Sequence, residues 1–155
     1  MWKSYERYGY IKSEKSLWEP NCIEVENGHI IMYIRNNNAP YLGISHSYDY
    51  GKTWTEFKQT DIPNPNTKVT LVKANNLILL INNFNNVMGF KNRNHLQIWV
   101  SHDGENFYKK IKIEEDNEIF FYPHAFFDEE TQLLYIAYEN SKQFWLKKIP
   151  FEDIS

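Results

Sequence analysis

Four polar side chains spread along the sequence have types that could do chemistry together: Glu19, Arg35, Arg93 and Tyr122. A guanidinium is a planar fork of donors that stays charged at any relevant pH and grips a carboxylate through paired hydrogen bonds. A carboxylate and a phenol placed beside two such forks would form a reactive polar cluster, if the chain brings them to one place. A second group of residues has a different character. Ser47-Tyr-Asp49-Tyr-Gly51-Lys-Thr53-Trp54 sets a carboxylate where it accepts hydrogen bonds from the N–H groups of its own turn. Gly51 permits a backbone conformation closed to residues with a β-carbon, and Trp54 is placed to pack over a hairpin. A decayed copy, Ser101-His-Asp103-Gly104-Glu-Asn-Phe107, begins 54 residues later, one residue shorter and with Phe in place of Trp. Its chemistry stabilises a turn.

The elements that must position these residues are strands. Period-two alternation and turn signals dominate, and no long amphipathic helix is evident. Three stretches repeat one another as strand, tight turn, strand: Asn21–Arg35 around Glu-Asn-Gly28, Lys68–Asn82 around Ala-Asn-Asn76, and Pro123–Tyr138 around Asp-Glu-Glu130. The first two are followed by a second strand pair, Tyr41–Ser47 with Thr53–Lys58 and His95–Ser101 with Phe107–Lys112. The third adds one strand, Gln143–Lys148, and runs out; a further strand is expected at Tyr8–Ile11. Units of four antiparallel strands recurring every roughly 45 to 55 residues match propeller blades. The predicted fold is all-β, with about three four-stranded antiparallel blades at 18–60, 64–114 and 120–151, half of a six-bladed ring. An unrelated β-sandwich is the alternative on periodicity alone.

Topology then says which residues share an end. In a four-stranded meander the 1–2 and 3–4 turns lie at one end of the blade, and the 2–3 loop and the inter-blade link lie at the other. The Ser-Asp-Gly motifs are 3–4 turns. Glu19 and Tyr122 at first-strand entries, Arg35 closing a second strand and Arg93 just before a third all map to the opposite end, where propeller ligands bind.

With these residues in view, the chain resembles the C-terminal half of the sialidase (neuraminidase) superfamily and its BNR-repeat relatives, and the Ser-x-Asp-x-Gly-x-Thr-Trp turn is their Asp box. The resemblance runs from about Trp18 to Tyr138 through Glu19-Pro-Asn, Val25-Glu-Asn-Gly28, Met32-Tyr-Ile-Arg35, Asn64-Pro-Asn66, Arg93-Asn-His-Leu96, Val100-Ser-His-Asp103 and Phe121-Tyr-Pro123. Glu19 precedes Arg35 by 16 residues and Arg93 precedes Tyr122 by 29, spacings similar to the family's. The resemblance implies a sialidase-like glycoside hydrolase acting on a terminal acidic sugar. Tyr122 would be the nucleophile, Glu19 its base partner, and Arg35 and Arg93 two of three carboxylate-binding arginines. A neutral tyrosine suits a substrate whose own carboxylate would repel an anionic nucleophile. The family's first arginine and its acid Asp have no counterpart here; Asp61 and Asp116, in inter-blade links, are candidates for the acid only by position.

Other features narrow the field. A composition of 42% hydrophobic and 17% aromatic residues describes a folding globular chain, and a net charge of −3 without a basic stripe gives nucleic acid nothing to bind. No apolar run spans a bilayer, no secretory signal is evident, and the chain as written reads as cytoplasmic. Cys22 is alone, the five histidines lack paired ligand spacing, and neither a metal nor another cofactor is expected. Phe120, Phe121, Phe126 and Phe127 are expected in inter-blade core, and His124 as inward packing, though a His–Tyr pair could also serve a uronic-acid lyase. The Asn clusters 36–38 and 82–86 read as loop or strand-edge polarity. Three functions fit: a hydrolase completed by a missing N-terminal half or by a homodimer, a carbohydrate-binding propeller without turnover, and a truncated inactive product.

Overall fold

A computed structural model describes residues 9–114 and 118–155. The first sheet is a meander of β1 (Leu17–Glu26), β2 (His29–Asn36), β3 (Tyr41–Ser47) and β4 (Lys58–Pro63). The second repeats it with β5 (Thr70–Ala74), β6 (Leu77–Asn83), β7 (Leu96–Ser101) and β8 (Phe107–Lys112). The third has β9 (Phe121–Asp128), β10 (Leu133–Glu139) and β11 (Phe144–Pro150), followed by one helical turn, α1 (Phe151–Ile154). Neighbouring strands are antiparallel throughout. The fold is the all-β propeller architecture the repeats imply, with three strands rather than four in the third sheet.

Packing follows from β6, whose seven residues are all buried. Ile78 and Leu80 face the first sheet, joining Ile31, Tyr33, Leu42, Ile44 and Leu71. Leu77, Leu79 and Ile81 face the third, joining Val72, Ala125, Leu134, Ile136 and Phe120. A strand covered on both faces reads as a continuous apolar run, which is why Leu-Ile-Leu-Leu-Ile lacks alternation. The first strands are also tied side by side: Leu71 N–H donates to Asn21 Oδ1 at 3.0 Å, and Thr70 Oγ1 donates to the Pro123 carbonyl at 2.6 Å.

Several local expectations change. The fourth strand of the first sheet begins at Lys58, not Thr53. Thr55 N–H donates to the His46 carbonyl and Lys58 pairs with Ile44, three steps along one strand against two along the other. The surplus residue bulges, and the Phe57 ring fills the space that a β-carbon on Gly43 would need. Gly9–Ile11 form no strand, and Tyr8 lies outside the described residues. Phe120 and Phe121 are buried as expected, whereas Phe126 is 56% exposed and stacks on Tyr135 across the outer face of the third sheet. His124 lies on that same exposed face rather than inward, because no further sheet covers it among the described residues.

The Asp boxes sit at the far end of the sheets. Asp49 accepts from Thr53 N–H (2.8 Å) and Thr53 Oγ1 (2.7 Å), Ser47 Oγ accepts from Gly51 N–H, and Trp54 Nε1 donates to the Gly51 carbonyl. Those bonds, led by the Thr53 N–H, hold the Asp49 carboxyl below its ordinary pKa. In the second box, burial would raise the Asp103 pKa, but bonds from Asn106, the Glu105 N–H and Ser101 outweigh it and hold it well below the carboxylate range. Gly104, at φ 82°, takes the conformation a side chain would resist, and its carbonyl accepts from the fully buried Tyr33 hydroxyl at 2.9 Å. That bond pins the first sheet to the turn of the second.

Candidate active site

The opposite end of the sheets holds the polar cluster. Arg35 is the penultimate residue of β2, whose last turn of chain is buried, so its guanidinium runs along the inter-sheet surface at 7% exposure. Arg93 follows a 3-10 turn, Phe90–Asn92, in the β6–β7 loop and is 9% exposed. Two cations this well buried demand partners. Arg35 Nη1 donates to Glu19 Oε2 at 2.9 Å, and Arg35 Nε is shared between Asn66 Oδ1 and, at 3.2 Å, Asn37 Oδ1. Arg93 Nη2 donates to the Asn66 carbonyl at 2.9 Å. Asn66 thus accepts from both arginines, through its side chain and its main chain. Aromatic faces do the rest: Trp18 lies 5.4 Å from the Arg35 carbon, and Phe90, Phe121 and Tyr122 lie 5.2 to 5.9 Å from that of Arg93.

Glu19 and Tyr122 occupy matching places in their sheets. Each lies near the start of a first strand in the left-handed region, at φ 47° and 54°, where the pairing register slips. Such a bulge re-aims a side chain out of the alternation. The conformation is costly for residues with β-carbons and is a feature of functional sites. The ties of Asn21 and Pro123 to Leu71 and Thr70 set Glu19 and Tyr122 on either side of the start of β5. Tyr122 is 41% exposed. Among the described residues its hydroxyl has no hydrogen-bond partner, and Glu19 is engaged by Arg35.

Of the residues picked from the sequence, Glu19, Arg35, Arg93 and Tyr122 therefore form one cluster. Asp61 does not join it: it stands on β4 and lines a hollow with Trp99, Glu105 and Phe107. Asp116 lies outside the described residues. A hollow of about 810 Å³ between Tyr10–Lys15 and Lys52–Phe57 lies on the Asp-box side and contains none of these groups. Among the described residues no group of acidic, histidine or cysteine side chains could hold a metal.

Asparagines are what sequence reasoning missed. Asn82 and Asn83 are fully buried rather than strand-edge polar. Asn82 bonds the Pro63 carbonyl and Asn64, while Asn83 bonds the carbonyls of Asn94 and Phe120. Each fastens an inter-blade link: one carries Asn66, the other joins the Arg93 loop to the entry of β9, where Phe120 N–H also donates to the Arg93 carbonyl at 2.9 Å. The available signal was two amides ending an otherwise apolar central strand.

Residues 2–136 match the model of the BNR repeat-like domain, and the chain belongs to that family. Its fold is that of sialidases. It superposes on the Hadza microbial sialidase Hz136 with a TM-score of 0.71 at 22% identity, covering 88% of this chain and 28% of that one. It superposes on the NanB sialidase from Streptococcus pneumoniae with a TM-score of 0.69 at 16% identity (90% and 24% covered). For the Trypanosoma rangeli sialidase in complex with the inhibitor DANA the values are 0.66 and 17% (86% and 23% covered). The chain therefore spans about a quarter of the length of these sialidases. No curated protein matches it.

Proposed function

We propose that this chain carries the carboxylate-recognising part of a sialidase-like exo-glycoside hydrolase site for a terminal acidic sugar. The observation that carries this reading is the pair of buried arginines joined through Asn66, beside the exposed Tyr122. Guanidinium groups gathered in one place grip an anion through charge-assisted hydrogen bonds. An anion set between Arg35 and Arg93 would lie beside Tyr122, whose ring faces Arg93.

In this reading Tyr122 attacks the anomeric carbon as its bond to the aglycone oxygen breaks, the oxygen leaving with the electron pair, and Glu19 takes the phenol proton. Glu19 must then divide its carboxylate between Arg35 and the phenol, which its partial exposure favours. A first arginine and a proton donor for the leaving group would come from a missing N-terminal half or from a second copy of the chain. The engagement of Glu19 by Arg35 favours a second reading, a propeller that binds acidic sugars without turnover. Titration calorimetry with N-acetylneuraminic acid and its methyl ester tests the shared core: the acid should bind, the ester at least tenfold more weakly, and Arg93→Ala should abolish the difference. Equal binding of acid and ester would refute carboxylate recognition. Hydrolysis of a fluorogenic sialoside that is lost in Tyr122→Phe, with binding kept, would select the enzyme over the lectin.

A further inference from the structure

We infer that Asn66 is the positioning residue that sets the two arginines as one anion receptor; this rests on the carboxylate reading above. It stands in the link between the first and second sheets, at φ 67°. Asn tolerates this left-handed conformation better than other residues bearing a β-carbon. Its neighbours fix the link: Asn64 Oδ1 accepts from Thr67 N–H, Asn64 Nδ2 donates to the Thr67 carbonyl and to Asn82, and the Pro65 carbonyl accepts from Gly89 N–H of the Arg93 loop. Within that clamp the left-handed turn presents both oxygens of Asn66 to different blades. The amide oxygen takes Arg35 Nε, and the carbonyl takes Arg93 Nη2 at 2.9 Å.

Chemistry explains the choice of residue. Two guanidinium groups assembled around one anion repel each other before it arrives. Neutral acceptors between them hold the arrangement without adding a second negative charge to the one Glu19 already sets on Arg35. A carboxylate at this position would hold Arg35 equally well but, added to Glu19, would leave it no net positive charge for the ligand. Glycine would keep the backbone turn, and with it the bond to Arg93, but leave Arg35 Nε only the longer bond to Asn37, with Nη1 still on Glu19. Since Arg35 Nε has a single hydrogen, Asn37 at 3.2 Å takes the lesser share of it.

The test uses the full chain, which has only three arginines, Arg7, Arg35 and Arg93, and hence three resolvable Nε–H signals in a nitrogen-15 spectrum. In Asn66→Gly the Arg35 Nε–H should exchange with solvent about tenfold faster while that of Arg93 is unchanged, and affinity for N-acetylneuraminic acid should fall about tenfold. In Asn66→Asp the Arg35 signal should stay protected, yet the acid should bind more weakly than in Asn66→Gly. A residue that merely supports the fold would instead be rescued by this isosteric change. Unchanged Arg35 exchange and unchanged affinity in Asn66→Gly would overturn the inference, as would restored binding in Asn66→Asp. If wild-type protein fails to distinguish acid from ester while Asn66→Gly still frees Arg35, the positioning role stands and the carboxylate reading falls.

Discussion

Removing the hydroxyl of Tyr33 isolates the tie between the first two sheets. Tyr33 is 1% exposed, and its hydroxyl donates to the Gly104 carbonyl at 2.9 Å from the far side of the inter-sheet core. Tyr33→Phe keeps the ring, so almost no cavity forms, but it leaves a buried carbonyl without its donor. The lost bond contributes about 1 kcal/mol and the stranded acceptor about as much again, for a total of about 2 kcal/mol. With a urea slope of about 2 kcal/mol/M, the unfolding midpoint should fall by about 1 M with the slope unchanged. Burial first, then the charges of Glu105, Asp103 and Asp61, push the Tyr33 phenol far above its ordinary value of 10.0. A folded pKa above the unfolded one means stability that is complete below pH 10 and is lost as pH rises further, because only the unfolded chain releases the proton. Tyr33→Phe should therefore also flatten the decline in stability above pH 10. A midpoint shift below about 0.2 M, or an identical alkaline decline in both proteins, would refute the account.

Three further outcomes are expected. His46, at the Asp-box end between His29 (3.2 Å) and Glu105 (3.8 Å), has its pKa lowered mainly by burial, with Glu105 opposing. Stability should therefore be full above about pH 6.5 and decline as pH falls below it, and His46→Gln should remove part of that decline in chemical denaturation from pH 7 to 5. Asp103→Ala, which strips the second box of its acceptor, should lower the melting temperature by about 3 °C, and Asp103→Asn, which keeps one oxygen, by less; equal losses in calorimetry would contradict the hydrogen-bond account. The outer face of the third sheet exposes Phe126, Phe144 and Leu146, so light scattering should find association that Phe126→Lys with Leu146→Lys reduces; a wild-type monomer at every concentration would argue against a self-completing ring.

Much of this was legible in the sequence because blades are local. Hairpins announce themselves through turns such as Asn-Gly28 and Asn-Asn76, and the two Asp boxes fix the phase of the repeat, so the end of the sheets bearing Arg35 and Arg93 follows from strand counting alone. What was not legible depended on long-range partners. Nothing near Asn66 in sequence says that its two oxygens meet arginines 31 residues before it and 27 after it. Nor does local polarity separate Asn83, buried under the β9 link, from an ordinary strand-end amide. The late start of β4 was hidden for a similar reason: alternation at Thr53–Lys58 suits a strand, and only the Phe57 ring over Gly43 shows where the surplus residue goes.

The distribution of the cluster over three sheets has a consequence for how function could wear away. Repeat arrays open from their ends, unit by unit. Arg35, Asn66 and Arg93 belong to the first sheet, the link and the second sheet, whereas Tyr122 belongs to the third. Under the proposed reading, carboxylate binding and nucleophilic attack thus rest on different sheets. Damage confined to the third sheet would disturb Tyr122 while Arg35 and Arg93 keep their shared partner Asn66.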